Sequence, residues 1–501
     1  MYSRFVIFMM NKIITLLTPI LLLIACSDDD TFSISPGSSL TFSTDTLSLD
    51  TVFSAVPSPH KQAVVYNHSG DGIRISRVTL ENGSRSPFRV NVNGSYVSNS
   101  LNDPLEDLEL RKGDSLRIFV EATTRNNGDT LPQLVSDNLV FTLDSGKKQK
   151  LALTVWSWDA TLLRKVTFSK DTTLAEVHGR PILIYDTLTV DSPAVLTIAP
   201  ATTLYFHSKA GMNIKGTLIV NGEKGREVVF RSNRLDRMVT NLTYDNNPGQ
   251  WGGIRFASSS YDNRISYADI HAATEPIVCE PQSLPERHKL SIDHSTIHNN
   301  VGCGIMSTKC NISIENAQIS NASGDCIALY GGTVGINHCT IAQYYPFDAN
   351  RGMALYFANV IGEEGQTLFP LFLTVDNSII KGYGDDVVAW SLGEKEEKLN
   401  ATFRNSIVRT EPGQDYEYMF TDCVIEDPKD TLLNARSYFK LFDTDNFFYD
   451  FMPKRLLGST ETVNPAIGKA NAETTLPDDR RGESRKNDSN HDAGCFEVTE
   501  E

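Results

Sequence analysis

The sequence predicts an all-β chain in two parts, a β-sandwich followed by a right-handed parallel β-helix solenoid. Three observations carry this. Short runs of alternating apolar and polar residues fill the first third, with no helical period. A six-residue pattern then recurs six times, at intervals as short as 22 residues. Finally, 501 residues exceed what one ordinary core holds, a limit that a repeat solenoid escapes.

The chain opens with Lys12 ahead of an apolar stretch, Ile13 to Ala25, too short to span a bilayer as a helix. These features predict a secretory signal over residues 1–25, and Met10-Asn11-Lys12 offers an alternative start with a more usual charged region. The stretch ends in Leu23-Ile24-Ala25-Cys26, which resembles the lipobox of bacterial lipoproteins. The resemblance implies cleavage before Cys26 and acylation of that cysteine, with several acyl chains giving firm anchoring. The competing reading is a plain secreted signal with a chance cysteine. Ser27-Asp28-Asp29-Asp30 follows, and resembles the acidic export tag of Bacteroidota-type surface lipoproteins. It implies an outer-membrane lipoprotein exposed at the cell surface; the alternative is a solvated linker. Residues 26–45 are read as this acidic tether.

Residues 46–158 read as the sandwich. Ala63–Tyr66, Ile73–Leu80, Phe88–Val92, Ser115–Val120, Leu139–Leu143 and Leu151–Val155 are candidate strands, separated by turn signals such as Asn67-His68-Ser69-Gly70-Asp71-Gly72. Their order resembles the small immunoglobulin-like modules of bacterial surface proteins, which implies a spacer between anchor and body.

Residues 180–455 read as the β-helix. The repeated hexamers are Ile265–Ile270, Ile292–Ile297, Ile314–Ile319, Ile336–Ile341, Val375–Ile380 and Phe403–Val408. Positions one and six are apolar and position four is small. Alternation alone would send position three inward, yet it holds Tyr267, His294, Asn316, His338, Asn377 and Asn405. A left-handed bend there resolves the conflict, returns positions four and six to the interior, and would let stacked amides bond from coil to coil about 4.8 Å apart. Upstream, Leu196–Phe206, Gly211–Gly222, Glu227–Phe230 and Trp251–Phe256 resemble the first coils of bacterial right-handed β-helix proteins of the pectate-lyase-like class. The stretch Asp478–Arg485 with Asp492–Glu497 resembles that class's ending, so residues 456–501 are expected to close the solenoid as a cap on its open end.

A formal net charge of −16 and a pI near 5.1 argue against nucleic acid as a partner. Besides Cys26 there are seven cysteines, Cys279, Cys303, Cys310, Cys326, Cys339, Cys423 and Cys495, with no CxxC and no His at zinc-ligand spacing. No metal site and no cofactor is therefore expected, apart from calcium should the chain be a lyase. Seven is odd, so at least one is free or paired between chains, and several are expected to be buried hydrophobes.

Candidates for chemistry are few. Ser323-Gly-Asp-Cys-Ile-Ala-Leu329 resembles the Gly-Asp-Asp-Cys-Ile core of polygalacturonases but has one acid of the two, and the family's downstream elements are missing. Asp325 and Asp386 each fall six residues after the end of a hexamer, which predicts one edge and a separation of about 10 Å, near the spacing of inverting glycosidases. They are the candidate catalytic residues. Tyr344, Tyr345, Asp348, Tyr383 and Trp390 are the candidate glycan-binding residues, since rings beside carboxylates suit sugars. The competing explanation is structural: Gly-Asp suits any coil turn, and aromatics cover coils. Arg255, Arg264, Lys381 and Arg404 have no carboxylate cluster placed beside them by spacing. The expected function is a surface lipoprotein whose β-helix binds or presents to extracellular glycan or protein without catalysis. The alternatives are a polysaccharide lyase or glycoside hydrolase acting on an acidic glycan, and a structural component of the cell surface.

Overall fold

The computed structural model describes residues 31–499 apart from 362–366, 394–398, 412 and 488. The signal segment, Cys26 and Ser27–Asp30 lie outside the described residues. The chain is mostly β and divides into two compact units. One comprises the described residues up to Asn127 with Pro132–Trp158, the other Gly128–Leu131 with the chain from Asp159 onward.

The first unit has two five-stranded sheets. In one, Lys61–Tyr66, Ser115–Ala122 and Phe88–Val92 pair antiparallel; in the other, Lys148–Trp158, Gln133–Leu143 and Ile73–Leu80 do so. Their alternate residues meet in one core that includes Val65, Val90 and Ile118 from the first sheet and Ile75, Phe141 and Leu153 from the second. Each candidate strand named above falls within a strand. The register shift between Ile75 and Arg77 is a bulge that places two consecutive residues outward, after which Val78 and Leu80 return to the core. Thr46–Phe53 pairs parallel to Lys148–Trp158, a long-range pairing that no local pattern reveals. Buried Asn67 fixes the predicted turn, its amide donating to the carbonyls of Asp71, Leu110 and Arg111.

The second unit carries parallel sheets of 17 and 11 strands, an arrangement compatible with a β-helix or solenoid. The six hexamers stack in register. Ile265, Ile292, Ile314, Ile336, Val375 and Phe403 pair successively in the larger sheet. Ile270, Ile297, Ile319, Ile341, Ile380 and Val408 do so in the smaller. All twelve are buried in a single apolar core. The bend is where the hexamer requires it: φ lies between 45° and 51° at Tyr267, His294, Asn316, His338, Asn377 and Asn405.

Position four is small for a further reason. The bend interrupts the ladder, and the hydroxyls of Ser295, Ser378 and Ser406 accept the amide hydrogens of Ala268, Cys339 and Ser378 one repeat earlier, at 3.0–3.1 Å. Each of these hydroxyls also donates to the carbonyl at position two of its own hexamer. A buried backbone donor is thereby satisfied by a side chain.

The position-three side chains make only part of the expected coil-to-coil bonding, with Asn316 Nδ2 3.4 Å from His294 Nε2 of the preceding repeat, and share the rest with the closing segment. Asn316 Nδ2 donates to the Asp478 carbonyl at 2.9 Å, and Asn377 Nδ2 to Thr474 Oγ1 and to Asn337 Oδ1 at 3.0 Å. These contacts do not describe a cap on an end. The segment follows the row of bends, with Thr474 beside Asn337 and Asn377, Asp478 beside His294 and Asn316, and Glu483 ion-paired to Lys224 at 2.7 Å. Arg485, fully buried, ties it together through Glu497 Oε2 at 2.7 Å and the Gly494 carbonyl at 2.9 Å. All seven cysteines among the described residues are free thiols, five of them buried.

Candidate functional site

Three neighbouring strands of the 11-stranded sheet, Ala268–His271, Thr296–Asn300 and Gln318–Ala322, build a polar recess of the second unit. Their register sets Asp269 beside Thr296 beside Gln318, and His271 beside His298 beside Ser320. These are the positions on either side of the inward Ile270, Ile297 and Ile319, so they share the opposite face. One residue further on, Asn299 and Asn321 are left-handed, at φ 54°, and form the rim of the floor. The walls come from the hairpin of Phe439–Asp443 and Phe448–Pro453, through Phe447–Phe451, and from Arg480, Arg481 and Phe496 of the closing segment. Together they enclose a cleft of about 510 Å³.

A chain of charges runs along one side of the floor. Arg231 Nη2 lies 2.8 Å from Asp245 Oδ1, which lies 2.9 Å from His271 Nε2. His271 Nδ1 is 2.8 Å from Asp269 Oδ1, and the same oxygen is 3.2 Å from His298 Nε2. The two imidazole rings are 4.9 Å apart. Burial alone would lower the pKa of His271, but the carboxylates of Asp269 and Asp245 outweigh it and hold the ring up at about 10. Burial likewise opposes ionisation of Asp269, yet the two histidines keep it well below the usual carboxylate range. Asp269 remains about one-third exposed, to the cleft, whereas His271 is buried. Three buried floor atoms, Thr296 Oγ1, Asn299 Oδ1 and Asn321 Oδ1, have no hydrogen-bond partner among the described residues.

The residues singled out from sequence lie elsewhere. Asp325 and Asp386 are separated by one intervening strand, as Ile327 pairs with Leu355 and Leu355 with Val388, so two strand spacings, about 10 Å, part them. Asp325 holds the backbone of the following coil, and Asp386 that of its own turn. Asp325 Oδ1 accepts the Met353 amide hydrogen at 2.7 Å, and Asp386 Oδ1 that of Val388 at 3.1 Å. Burial pushes the Asp325 carboxyl upward. The glycine beside Asp325 is demanded by packing, because a Cβ on Gly324 would meet the backbone of Gly302 at 2.9 Å.

Among the aromatic candidates, Tyr344 requires correction. It is buried, packed against Tyr383 at 5.0 Å, Phe442 at 4.9 Å and Phe451 at 5.8 Å, and a buried ring has no face to offer a sugar. Tyr345 is buried too, edge-on to Phe347, and Phe347 stacks on Phe447 at 5.1 Å. Trp390 is half-buried between Phe357 and Tyr416. Asp348 is exposed and caps Asn350, while Tyr383 is exposed beneath the Arg351 guanidinium. Thus Tyr344 and Phe347 back the hairpin that walls the cleft and do not line it. Arg255, Arg264, Lys381 and Arg404 are each paired, to Glu280, Asp293, Glu426 and Asp376.

Sequence reasoning missed Asp269, His271 and His298. Their signal was within the repeat, since His271 and His298 each follow the sixth position of a hexamer, 27 residues apart. A search for close zinc-ligand spacing cannot see a pair formed by stacking.

No family model and no curated protein matches this chain. Among solved structures it is similar to a family 123 glycoside hydrolase from Clostridium perfringens, at 10% identity over 26% of this chain and 30% of that one, with a TM-score of 0.18. It is also similar to PapD-like domain 7 of human CEP192, at 11% identity over 25% of this chain and 90% of that one, with a TM-score of 0.17. The chain thus spans less than a third of the hydrolase, and neither likeness carries an argument about fold or activity.

Proposed function

We propose that the chain is an outer-membrane lipoprotein anchored through Cys26 and exposed at the cell surface. In this reading an immunoglobulin-like sandwich lifts a right-handed parallel β-helix from the membrane, and the β-helix binds an extracellular glycan in the cleft above Asp269, Thr296 and Gln318 without cleaving it. The observation that carries the reading is the pairing of that floor with its walls. Amides, hydroxyls and unsatisfied buried acceptors lie beneath, with the exposed Phe448 ring and the guanidinium groups of Arg480 and Arg481 beside them. Hydrogen-bonding groups under an aromatic wall suit sugar hydroxyls and ring faces, and the arginines favour a saccharide carrying carboxylate. Binding is favoured over hydrolysis because Asp269 is committed to two histidines, whereas glycosidases require a carboxylate pair free to act as acid and base.

The test is retention of the protein on immobilised acidic and neutral polysaccharides, with reducing ends and unsaturated products recorded in parallel, with and without calcium. Retention that is lost in Phe448→Ala and Asn321→Ala, without product, is the expected result. Product formation would replace this reading with a lyase or hydrolase, and retention unchanged in both variants would remove the cleft from it.

A further inference from the structure

The floor of the cleft holds one carboxylate and two imidazoles whose donor atoms all lie within 4.8 Å of one another. We infer that Asp269, His271 and His298 form a binding site for a divalent transition-metal ion of the zinc class, with one coordination position open to the cleft. This does not rest on the glycan reading, because the ion can be measured alone.

Four features support the site. First, the donor set is chemically apt, since imidazole nitrogen with carboxylate oxygen suits zinc and its neighbours, whereas calcium and magnesium prefer all-oxygen shells. Second, the spacing is of the right order. Asp269 Oδ1 stands 2.8 Å from His271 Nδ1 and 3.2 Å from His298 Nε2, and the two nitrogens lie within 4.8 Å of each other. Donors on a tetrahedral ion with bonds of about 2.0–2.1 Å are roughly 3.3 Å apart, so the two carboxylate–imidazole gaps need open by no more than about half an ångström. Third, the ligands stand on rigid elements and are oriented from behind. Asp269 and His271 are two apart on one strand, His298 pairs with His271 on the next, and His271 Nε2 is held by Asp245, itself held by Arg231. A carboxylate on the far nitrogen of a ligating histidine fixes its tautomer and orientation.

The fourth feature is independent of the donors. Asn299 and Thr296 line the same cleft and are more than nine-tenths buried, and their Oδ1 and Oγ1 atoms have no partner among the described residues. Buried acceptors left without a donor are costly, and a water on the open position of the ion would supply one. Three protein ligands with a fourth position free is the arrangement that lets a metal hold a ligand oxygen from solution. A carboxylate or hydroxyl entering the cleft is the group it would hold.

The experiment uses the full chain in detergent, stripped of metal by chelation. It is titrated with Zn²⁺ by calorimetry and with Co²⁺ by visible absorption, whose band intensity reports coordination number. One ion per chain is expected, with the intense bands of a four-coordinate site. Asp269→Asn and His298→Ala should each weaken binding by more than about 100-fold, and Asp245→Asn by about 10–100-fold, as removal of an outer-shell partner does. His298 is partly exposed, so its replacement should leave the fold intact, checked by circular dichroism. His68→Ala, in the other unit, should leave binding unchanged. The inference is overturned if the parent chain takes up no stoichiometric ion. It is equally overturned if His298→Ala binds as the parent does, or if His68→Ala weakens binding as much as His298→Ala.

Discussion

Ser378 Oγ accepts the amide hydrogen of Cys339 from the preceding repeat at 3.1 Å and donates to the Asp376 carbonyl at 2.7 Å. One hydroxyl therefore serves two backbone groups that the left-handed bend withdraws from the ladder. Ser378→Ala should strand the buried Cys339 donor and destabilise the protein by about 1–3 kcal/mol. Urea unfolding of the two proteins at equal m-value measures it, and a loss below a few tenths would show that the hydroxyl is dispensable.

The pair Lys381–Glu426 is wholly buried, and Lys381 Nζ also donates to the Leu433 carbonyl at 3.1 Å and lies 4.0 Å from the Tyr438 ring centroid. Lys381→Met leaves the Glu426 carboxylate unpaired and should cost about 3–5 kcal/mol. The double variant Lys381→Met with Glu426→Leu should recover most of that loss, since an apolar pair can replace a buried ion pair. Chemical denaturation of the four proteins closes the cycle. A double variant as unstable as the single would refute this account.

A pH dependence follows from Glu497. Burial and the neighbouring Asp492 raise its carboxyl from 4.5 to about 7, against the opposing pull of Arg485. A raised folded-state value means that the native state holds the proton longer than the unfolded chain. Its contribution to stability is thus fully present below about 4.5 and is lost as pH rises through about 7. Glu497→Gln should flatten the stability profile across that window, as read from denaturation midpoints at its two ends. An unchanged slope would assign the dependence to other groups.

Glycine tolerance should divide sharply within the second unit. A Cβ at Gly352 would stand 2.4 Å from the Gly324 carbonyl carbon and 2.5 Å from the Asp325 nitrogen, both backbone atoms that cannot step aside. Gly352→Ala should therefore cost at least about 1–3 kcal/mol. At Gly335, in the strand Ile327–Asn337, a Cβ meets nothing within 4 Å, and Gly335→Ala should stabilise by about 0.4–1 kcal/mol. Melting temperatures moving in the same direction for both would contradict the packing described.

The thiols offer a test of the anchor. Burial raises the pKa of every one of the seven described cysteines, Cys326 to about 12 and Cys303 to about 11. A thiol reagent at neutral pH should therefore reach at most the half-buried Cys303 and Cys423 in the native protein. In denaturant the mature chain should show seven thiols, and the unprocessed chain eight. Eight in the mature chain would mean that Cys26 carries no lipid.

The hexamer was legible because its demands are local. A polar residue between two inward apolar positions leaves the backbone little choice but to bend, and all six such residues do. The strand pairing of the second unit follows, since each repeat meets its successor. The cleft was not legible, because it depends on which outward side chains stack across repeats of unequal length and on a hairpin that arrives from residues 439–453. Tyr344 shows the same limit. Its loop looks exposed in sequence, and only the later arrival of Phe442 and Phe451 buries it.

The segment from Thr474 to Glu483 has a mechanical consequence. A linear stack held only by nearest neighbours can peel from either end, one repeat at a time. Here, one strand of chain is laced across repeats far apart in sequence, reaching from Asn377 back to Lys224. Peeling must stop where the lacing begins, so these repeats stand or fall together. Removing the last thirty residues should turn one sharp melting transition into a gradual one.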